Sequence, residues 1–242
     1  MDLAGCSALV TGGGTRLGRA IALALAAEGC NVAVQHWRSA DGAAEVVAAV
    51  RALGRNAVAL RADLGEVDAC GRLVHDATAA VGPLRVLVNS AGIFLPGTLA
   101  STTLAEWEAQ HAINLRAPFL LSQAFVAALG ERSGKIVNVA DARVRRPSSG
   151  HLAYRLSKAA LVHLTEVLAV ELAPRITVNA VSPGAMLAPP GEGEKAFATR
   201  VAERVPLRRA GGASPVAAAV VFLLREDFAT GVILPVDGGE YL

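Results

Sequence analysis

A tyrosine and a lysine one helical turn apart, with an aspartate upstream, are the residues of this chain best suited to chemistry. Tyr154 and Lys158 stand at i and i+4 in the segment YRLSK, and this spacing puts two side chains on the same face of a helix. A tyrosine hydroxyl has an ordinary pKa of about 10, so it needs a neighbouring cation to act as an acid or base near neutral pH. Together with Asp141, the pair could deliver a proton in a reduction. Many solvated helices carry the same spacing, so further motifs are needed to establish a site.

The elements that would position these side chains alternate along the chain. Short aliphatic or β-branched runs predict strands at residues 7–11, 31–35, 57–61, 86–89, 135–139, 177–180 and 232–236. Ala- and Leu-rich patterns between them predict helices at residues 17–28, 43–53, 67–81, 104–129, 153–172 and 215–224. This alternation predicts a single-domain α/β fold of the Rossmann type, a doubly wound parallel sheet with helices on both faces. Ligands then bind beyond the carboxyl ends of the strands.

Composition points to one domain that acts on small molecules. With 242 residues, 53% hydrophobic and 18% charged, the chain can bury a large core, and we expect a single domain over residues 1–242. A net charge of +2 without a long basic run argues against a nucleic-acid or membrane partner. Three widely spaced cysteines without partners at metal spacing predict reduced thiols and no metal site. Without a signal-peptide pattern, we expect a cytoplasmic protein.

The first predicted strand leads into a glycine-rich turn, TGGGTRLG at residues 11–18. Glycines at a strand-to-helix turn permit positive φ angles and close backbone approach, and the N–H groups at the helix start attract a pyrophosphate. Because the turn follows a strand and opens a βαβ unit, it predicts a dinucleotide site. The residues expected to contact the dinucleotide here are Gly12, Thr15, Arg16, Leu17 and Gly18.

The residues after the second predicted strand favour NADPH over NADH. A carboxylate at this point would bind the ribose of NAD, but the chain has His36, Trp37, Arg38 and Ser39. Arg38 can stack on adenine or bind a phosphate, with Ser39 and His36 as further donors, which suits the 2′-phosphate of NADP. The alternative is an arginine that is simply solvated after a strand.

Over essentially the whole chain, these motifs resemble those of the short-chain dehydrogenases/reductases. The glycine turn is similar to the family's TGxxxGxG, and Tyr154 with Lys158 resembles its catalytic pair. Other positions match further elements of the family. Asp63 and Leu64 resemble its adenine-contacting acid, and Asn89, Ser90 and Ala91 resemble its NNAG motif. Asn114 resembles its catalytic asparagine, and Pro183 and Gly184 resemble its nicotinamide-side PG. The resemblance implies hydride transfer between nicotinamide and a C=O or C=N group, with Tyr154 as general acid. It also implies that Lys158 lowers the pKa of Tyr154 and holds the ribose, and that Asn114 supports a water chain.

Three residues depart from the family pattern. Arg16 stands in place of the middle glycine, Ser90 in place of the second asparagine of NNAG, and Asp141 in place of a serine that binds the substrate carbonyl. A serine hydroxyl donates a hydrogen bond to an oxyanion, whereas an ionised carboxylate repels it. Asp141 therefore favours a substrate that presents N–H groups or takes a proton at nitrogen.

These departures resemble the pteridine reductase branch of the family, which reduces dihydropterins and folates with NADPH. TRLGR at residues 15–19 is similar to this branch's KRLGR element, whose arginine contacts cofactor phosphate and pterin, and residues 36–39 are similar to its HRS segment. Phe94 resembles its pterin-stacking phenylalanine, although a core position is the commoner place for a single phenylalanine. The substrate site implied by the resemblance comprises Arg16, Phe94, Asp141 and Tyr154.

Two neighbouring segments have more than one interpretation. The arginines in ARVRR at residues 142–146 either form a solvated face or bind an anionic tail. Residues 183–205, dense in Gly and Pro at their start, predict a mobile loop over the substrate. His151 is more typical of a surface position than of a second acid, and it is assigned no role.

Three functions follow as hypotheses. The first is an NADPH-dependent reductase of pterin-like or related planar heterocyclic substrates, such as dihydropterin or dihydrofolate. The second is a 3-oxoacyl-thioester or general carbonyl reductase that tolerates Asp141. The third, a non-catalytic dinucleotide-binding redox sensor, is disfavoured by intact Tyr154, Lys158 and Asn114. We also expect a homotetramer, because the helices predicted at residues 104–129 and 153–172 are too apolar for one sheet face, and such helices pair across two-fold axes in the family.

Overall fold

The chain folds around a seven-stranded parallel sheet in a computed structural model that describes residues 1–189 and 191–242. Pro190, which belongs to the predicted substrate loop, lies outside the described residues. The strands are β1 (Ser7–Val10), β2 (Asn31–His36), β3 (Ala57–Arg61), β4 (Leu84–Asn89), β5 (Gly134–Val139), β6 (Ile176–Pro183) and β7 (Ile233–Val236). Their order is β3-β2-β1-β4-β5-β6-β7. The order reverses between β1 and β4, which opens a crevice at the carboxyl ends of these strands.

Helices cover both faces of the sheet, which confirms the predicted doubly wound α/β fold. They are α1 (Arg16–Ala27), α2 (Ala40–Ala52), α3 (Val67–Val81), α4 (Leu104–His111), α5 (Ala117–Leu129), α6 (Leu152–Glu171), α7 (Glu194–Arg204) and α8 (Ser214–Arg225). One apolar cluster joins α1, α2 and α8 to the sheet, and a second joins α3, α5 and α6 to its other face.

The central strands are mostly apolar because both of their faces are covered. In β1, Ala8 and Val10 belong to one apolar cluster, and Leu9 belongs to the cluster on the opposite face. The period of two along a strand thus sends successive side chains into different cores. Runs of mostly apolar residues are typical of buried parallel sheets.

The helix predicted over residues 104–129 is interrupted. A π-helical turn, Ala112–Arg116, separates α4 from α5 and carries Asn114. Pro118 lies in the first turn of α5 and has no N–H to donate to the carbonyl group four residues earlier, which is that of Asn114. The helical periodicity runs through this point, so the pattern alone predicts one helix, whereas the proline accounts for the local change of hydrogen bonding.

The prediction of a loop over residues 183–205 is wrong for the second half of this segment, which forms the helix α7. Phe197, Val201 and Val205 recur at helical spacing and are buried with Ala188 in a small apolar cluster. The Gly- and Pro-rich residues before α7 dominate the sequence pattern and obscure this short periodic stretch. The mobility of the segment stays a prediction.

Within the described part of the chain, Leu104–Leu129 is the one helical stretch long and apolar enough to cross a membrane. Its α5 portion buries Leu121, Phe125 and Leu129 against α3 and the sheet. Core packing accounts for this apolar side, as it does for the central helices of many globular proteins.

Candidate active site

Asp141 and Tyr154 are in direct contact beyond the carboxyl end of β5. Tyr154 lies in the first turn of α6, and its hydroxyl donates a hydrogen bond of 2.7 Å to Asp141 Oδ2. The backbone N–H of Arg143 donates a second hydrogen bond of 2.7 Å, to Asp141 Oδ1. This bond caps the short 3-10 helix Ala142–Arg145 and fixes the carboxylate. Both oxygens of Asp141 are therefore oriented, one of them toward the tyrosine.

The tyrosine keeps its proton in this arrangement. Burial, and then the charge of Asp141 and the hydrogen bond to it, raise the pKa of Tyr154 well above its ordinary value. The nearby cations Arg143 and Arg155 oppose the shift but do not reverse it. The family resemblance implies the opposite direction, a pKa lowered by Lys158. The structure differs because the carboxylate, rather than the ammonium group, is the partner of the hydroxyl.

Lys158 is buried beneath the site. Its Nζ donates a hydrogen bond of 2.7 Å to the carbonyl of Val139, the last residue of β5. Burial lowers the pKa of Lys158 to about 8, and the charge of Asp141 opposes the shift. The side chain therefore carries a positive charge at neutral pH. Gly92 lies next to it: an added Cβ there would be in ordinary contact with Nζ, at 3.6 Å, and closer to Asn114 Oδ1, at 3.3 Å.

Asn114 connects the segment after β4 to α6. Its Oδ1 accepts a hydrogen bond of 2.9 Å from the N–H of Ile93, and its Nδ2 donates to the carbonyl of Ile93 and to Ser157 Oγ, each at 3.0 Å. Ser157 Oγ in turn donates to the carbonyl of Tyr154 at 2.8 Å. Asn114 is fully buried, so the π-helical turn holds a polar link between the two segments that carry the site. Nothing in the sequence analysis identified Ser157, although its place between Tyr154 and Lys158 was the available signal.

Phe94 lies at the mouth of the site and not in the core. Its side chain is 42% exposed, and its ring meets that of Tyr154 edge-on, with centroids 4.6 Å apart. The ring of His151 stacks on it at 4.0 Å and 17°. His151, which was assigned no role from its sequence position, also places Nδ1 3.0 Å from the carbonyl of Leu95. Its position directly before α6, one helical turn ahead of Tyr154, was the only clue to this contact.

The glycine-rich turn is shaped by close backbone contacts. A Cβ on Gly18 would overlap the carbonyl oxygen of Gly12, and a Cβ on Gly12 would lie 3.0 Å from Cα of Ala91. Gly12 has a φ of 62°, and Arg16 at the start of α1 has a φ of 51°, a region that side chains with a Cβ adopt at some cost. The turn thus forms a tight backbone cradle, as binding of a pyrophosphate requires.

Two side chains that the sequence analysis did not single out hold this turn. Gln35 Oε1 accepts a hydrogen bond of 2.8 Å from the N–H of Gly12, and Gln35 Nε2 donates to the carbonyl of Ala62 at 2.8 Å. Thr11 Oγ1 accepts from the N–H groups of Ser90 and Ala91, each at 3.0 Å. The ends of β1, β2 and β4 are thereby fixed relative to one another.

The guanidinium group of Arg16 bridges from the turn to the segment after β6. It donates to the carbonyl of Ala188 at 2.9 Å and to that of Leu187 at 3.3 Å. In the described part of the chain, its hydrogen bonds are thus to this segment and not to Asp141 or Tyr154. Arg16 is the one member of the predicted substrate site that the structure does not place in contact with the others.

The residues predicted to recognise a 2′-phosphate lie beside the turn. Ser39 precedes α2, and its Oγ would lie 2.7 Å from a Cβ on Gly14. Arg38 is exposed. His36 is buried, its Nδ1 has no hydrogen-bond partner among the described residues, and burial together with the charge of Arg61 lowers its pKa. A polar cluster with an unpartnered buried nitrogen next to a backbone cradle fits the phosphates of NADP(H).

The other predicted cofactor residues lie along the same edge of the sheet. Asp63 follows β3 and accepts a hydrogen bond of 2.9 Å from the N–H of Gly65, and Leu64 is buried. Asn89 ends β4 and donates at 2.8 Å to Asn138, while its own Oδ1 is buried without a partner in the described structure. Pro183 ends β6, and Gly184 cannot gain a Cβ without lying 2.7 Å from Cβ of Asp237. The predicted positions therefore surround one crevice.

A family model described as enoyl-(acyl carrier protein) reductase matches residues 14–240. A short-chain dehydrogenase from Burkholderia cenocepacia in complex with NADP is 40% identical, with a TM-score of 0.93 and complete coverage of both chains. The FolM alternative dihydrofolate reductase 1 from Brucella suis in complex with NADP is 35% identical, with a TM-score of 0.94 over 100% of this chain and 96% of that one. A 3-oxoacyl-[acyl-carrier-protein] reductase of Staphylococcus epidermidis is 34% identical over 98% of this chain and 99% of its own.

The chain belongs to the short-chain dehydrogenase/reductase family. It is an NADP(H)-dependent reductase of that family, which confirms the predicted enzyme class and cofactor. When bound, the cofactor supplies hydride, and the glycine turn, the cluster after β2 and Lys158 are the residues that would hold it.

Proposed function

We propose that this reductase acts on pterin-like substrates, dihydropterins or dihydrofolate, or on related planar N-heterocycles. The observation that carries the proposal is the hydrogen bond from Tyr154 to Asp141. A carboxylate at this point accepts hydrogen bonds and donates none while ionised. It suits the N–H groups of a heterocycle and opposes the oxyanion that develops when a ketone is reduced.

Tyr154, Lys158 and Asp141 have separate roles in protonating a ring nitrogen in this proposal. Bound NADPH would supply hydride to the carbon of a C=N bond, and the nitrogen would then need one proton. The Tyr154 hydroxyl, kept protonated by burial and by Asp141, is the group that gives this proton. Lys158, positively charged below about pH 8, offsets the negative charge left on the tyrosine oxygen. Asp141 orients the hydroxyl and accepts hydrogen bonds from N–H groups of the substrate.

The aromatic residues support the choice of a flat substrate. Phe94 is partly exposed beside Tyr154, so a planar ring can stack between it and the nicotinamide. His151 covers one face of the Phe94 ring and supports it from that side. In this proposal Arg16 contacts substrate and cofactor phosphate once it leaves the carbonyl groups of Leu187 and Ala188.

A second candidate is reduction of 3-oxoacyl thioesters. Its support is the 34% identity over nearly the full chain to a 3-oxoacyl-[acyl-carrier-protein] reductase. The FolM structures are similar to the same extent, at 35%, so identity does not separate the two candidates. Asp141 supports the pterin proposal, because its carboxylate is poorly suited to a developing oxyanion.

NADPH oxidation by the purified protein tests the proposal. Dihydrobiopterin and dihydrofolate are run beside acetoacetyl-coenzyme A, and kcat/KM is measured for each. We expect the pterins to be reduced with the higher kcat/KM. Turnover of the thioester alone would refute the pterin proposal and establish the second candidate.

The non-catalytic alternative is tested by substitution of the tyrosine. Tyr154→Phe removes the proton donor, and we expect kcat to fall by roughly 10²- to 10⁴-fold, the usual contribution of an acid catalyst. NADPH affinity, measured by fluorescence titration, should change little. A redox sensor would instead bind NADPH in both forms and turn over no substrate in either.

We further propose that the enzyme is a cytoplasmic homotetramer. The outer faces of α5 and α6 expose Phe119, Leu156, Val167 and Val170, more apolar surface than an isolated monomer usually presents on adjacent helices. Light scattering at low protein concentration tests this assembly. A monomeric mass would contradict it.

A further inference from the structure

A basic cleft of about 550 Å³ opens directly after Asp141. We call it the arginine cleft. Its walls come from the segment after β5, from α6, from the end of α7 and from the C-terminal residues, and the side chains that matter here are Arg143, Arg146, Arg155, Arg204, Glu240 and Tyr241. Neither the glycine turn nor the cluster after β2 contributes to it, so it is separate from the predicted NADP(H) contacts.

The positive charge of the cleft is largely uncompensated. Four arginines line it against one acid, Glu240. That carboxylate is already engaged, since Oε1 pairs with Arg204 at 3.3 Å and Oε2 accepts a hydrogen bond of 2.8 Å from the N–H of Ala185. In the described part of the chain, Arg143, Arg146 and Arg155 have no acidic partner within ion-pair distance. The concave surface therefore favours an anion.

The cleft is held in shape by Arg155. Its Nη1 donates to the carbonyl groups of Arg143 and Arg146, each at 3.0 Å, and its Nη2 donates to Ser148 Oγ. These bonds tie the segment after Asp141 to α6, so Arg143 and Arg146 project from a braced backbone. A backbone braced in this way loses less conformational entropy when a ligand binds than a free loop would.

The cleft and the aromatic site share one residue, Arg143. Its guanidinium carbon lies 5.5 Å from the centre of the Phe94 ring, and its N–H holds Asp141. A ring stacked on Phe94 therefore has a substituent path that passes Arg143 into the cleft. The contact also explains the arginines of this segment better than a purely solvated face does.

We propose that the arginine cleft binds an anionic tail, a carboxylate or phosphate, carried by the planar heterocycle that is reduced at Asp141 and Tyr154. The inference rests on the proposed pterin-like substrate and adds which pterins the enzyme selects. Pterins with uncharged side chains are then poorer substrates than those with charged tails.

Steady-state kinetics with matched substrates tests this selection. Dihydrobiopterin has an uncharged side chain, dihydrofolate ends in carboxylates, and dihydroneopterin monophosphate ends in a phosphate. We expect kcat/KM to be higher for both anionic substrates than for dihydrobiopterin, and the advantage to shrink at high ionic strength. The larger of the two advantages identifies whether carboxylate or phosphate is preferred.

Arg146→Gln tests the residues directly. Loss of one charge-assisted hydrogen bond should lower the kcat/KM ratio of dihydrofolate to dihydrobiopterin by roughly tenfold. The matched control is Arg72→Gln, which removes the same charge from an exposed position on α3 and should leave the ratio as in the wild type. NADPH titration checks that each variant is folded.

A measurement on the unmodified enzyme keeps the test independent of the variants. p-Aminobenzoylglutamate, the tail of folate without its pterin, should inhibit dihydrofolate reduction competitively and more weakly at high ionic strength. Reduction of all the pterins with equal kcat/KM, and no inhibition by the tail, would overturn the arginine-cleft proposal alone. Failure to reduce any pterin would overturn the proposed function, and the inference with it.

Discussion

The Tyr154 hydroxyl donates a hydrogen bond of 2.7 Å to a carboxylate oxygen, Asp141 Oδ2. In a site built to polarise a ketone, the same position would hold a donor directed at the substrate oxygen. In the proposed function, the direction of this hydrogen bond is what favours an N-heterocycle over a ketone as the substrate.

Replacing Asp141 by serine should shift the substrate preference. Asp141→Ser restores a hydroxyl donor, so we expect pterin reduction to lose roughly 10²-fold in kcat/KM, at the low end of acid-base effects, while ketone reduction is unchanged or faster. The measurement is kcat/KM for dihydrobiopterin and for acetoacetyl-coenzyme A in the wild type and variant. Asp76→Ser, at an exposed position on α3, serves as control. Equal losses on both substrates would remove Asp141 from substrate choice.

The rate of reduction should fall as the pH rises through about 8. Burial lowers the pKa of Lys158 to about 8, so above this pH the ammonium group loses the charge that offsets the tyrosine oxygen. We expect a descending limb in the pH profile of kcat near this value, and its absence in Lys158→Met, whose residual rate should be low throughout. A profile that stays flat from neutrality to pH 10 would contradict the role of Lys158.

The same pKa has a consequence for stability. The folded protein holds the Lys158 proton less tightly than the unfolded chain does, because burial lowers the pKa from 10.5 to about 8. Between these values the unfolded chain binds more protons, so Lys158 makes the free energy of unfolding rise with pH. Tyr154 acts in the opposite sense at higher pH, since its raised pKa stabilises the fold below pH 10 and this contribution is lost as the pH rises through the folded value. Denaturant titrations of wild type and Lys158→Met across this range separate the two.

The cofactor preference should depend on Arg38. We expect Arg38→Ala to reduce the kcat/KM ratio of NADPH to NADH by roughly 10- to 100-fold, because one charged contact to the 2′-phosphate is lost. Arg55→Ala removes an exposed arginine from the loop before β3 and is the control. An unchanged preference in Arg38→Ala would place the phosphate elsewhere.

Two glycines should respond oppositely to the same substitution. A Cβ on Gly18 would overlap the carbonyl of Gly12, so Gly18→Ala should distort the turn and weaken NADPH binding. Gly71 lies on α3 with no heavy atom within 4 Å of an added Cβ, and Gly71→Ala should raise the free energy of unfolding by about 0.5–1 kcal/mol. Thermal melts and NADPH titrations of both variants check this. A Gly18→Ala protein with wild-type NADPH affinity would show that the turn tolerates the methyl group.

Features encoded by short spacings could be predicted from the sequence. The glycine turn at residues 11–18 and the pair Tyr154 and Lys158 are each recognisable within one turn or helix. The residues that pack against these motifs could not be predicted, because they contact residues that are distant in the chain. Gln35 binds Gly12 and Ala62, and His151 stacks on Phe94. Such contacts exist only once the sheet has brought the loops together.

Two errors in the predicted elements have local causes. The π-helical turn at Ala112–Arg116 is invisible to periodicity, since the apolar pattern continues through it, and Pro118 was the sole indication. The helix α7 was hidden by the glycines and prolines ahead of it, although Phe197 and Val201 stand at helical spacing. In both cases a few residues determine the local structure, whereas the prediction follows the average hydrophobic pattern of the whole segment.

The hydrogen bonds from Arg16 to Leu187 and Ala188 couple the glycine turn energetically to the segment after β6. One side chain joins the turn that is predicted to hold the pyrophosphate to the segment that precedes α7. Any ligand that draws the guanidinium group away from those carbonyls alters the other half as well. Linkage of this kind is reciprocal, so a substrate that releases Arg16 changes the dissociation constant of NADPH by the same factor by which NADPH changes that of the substrate.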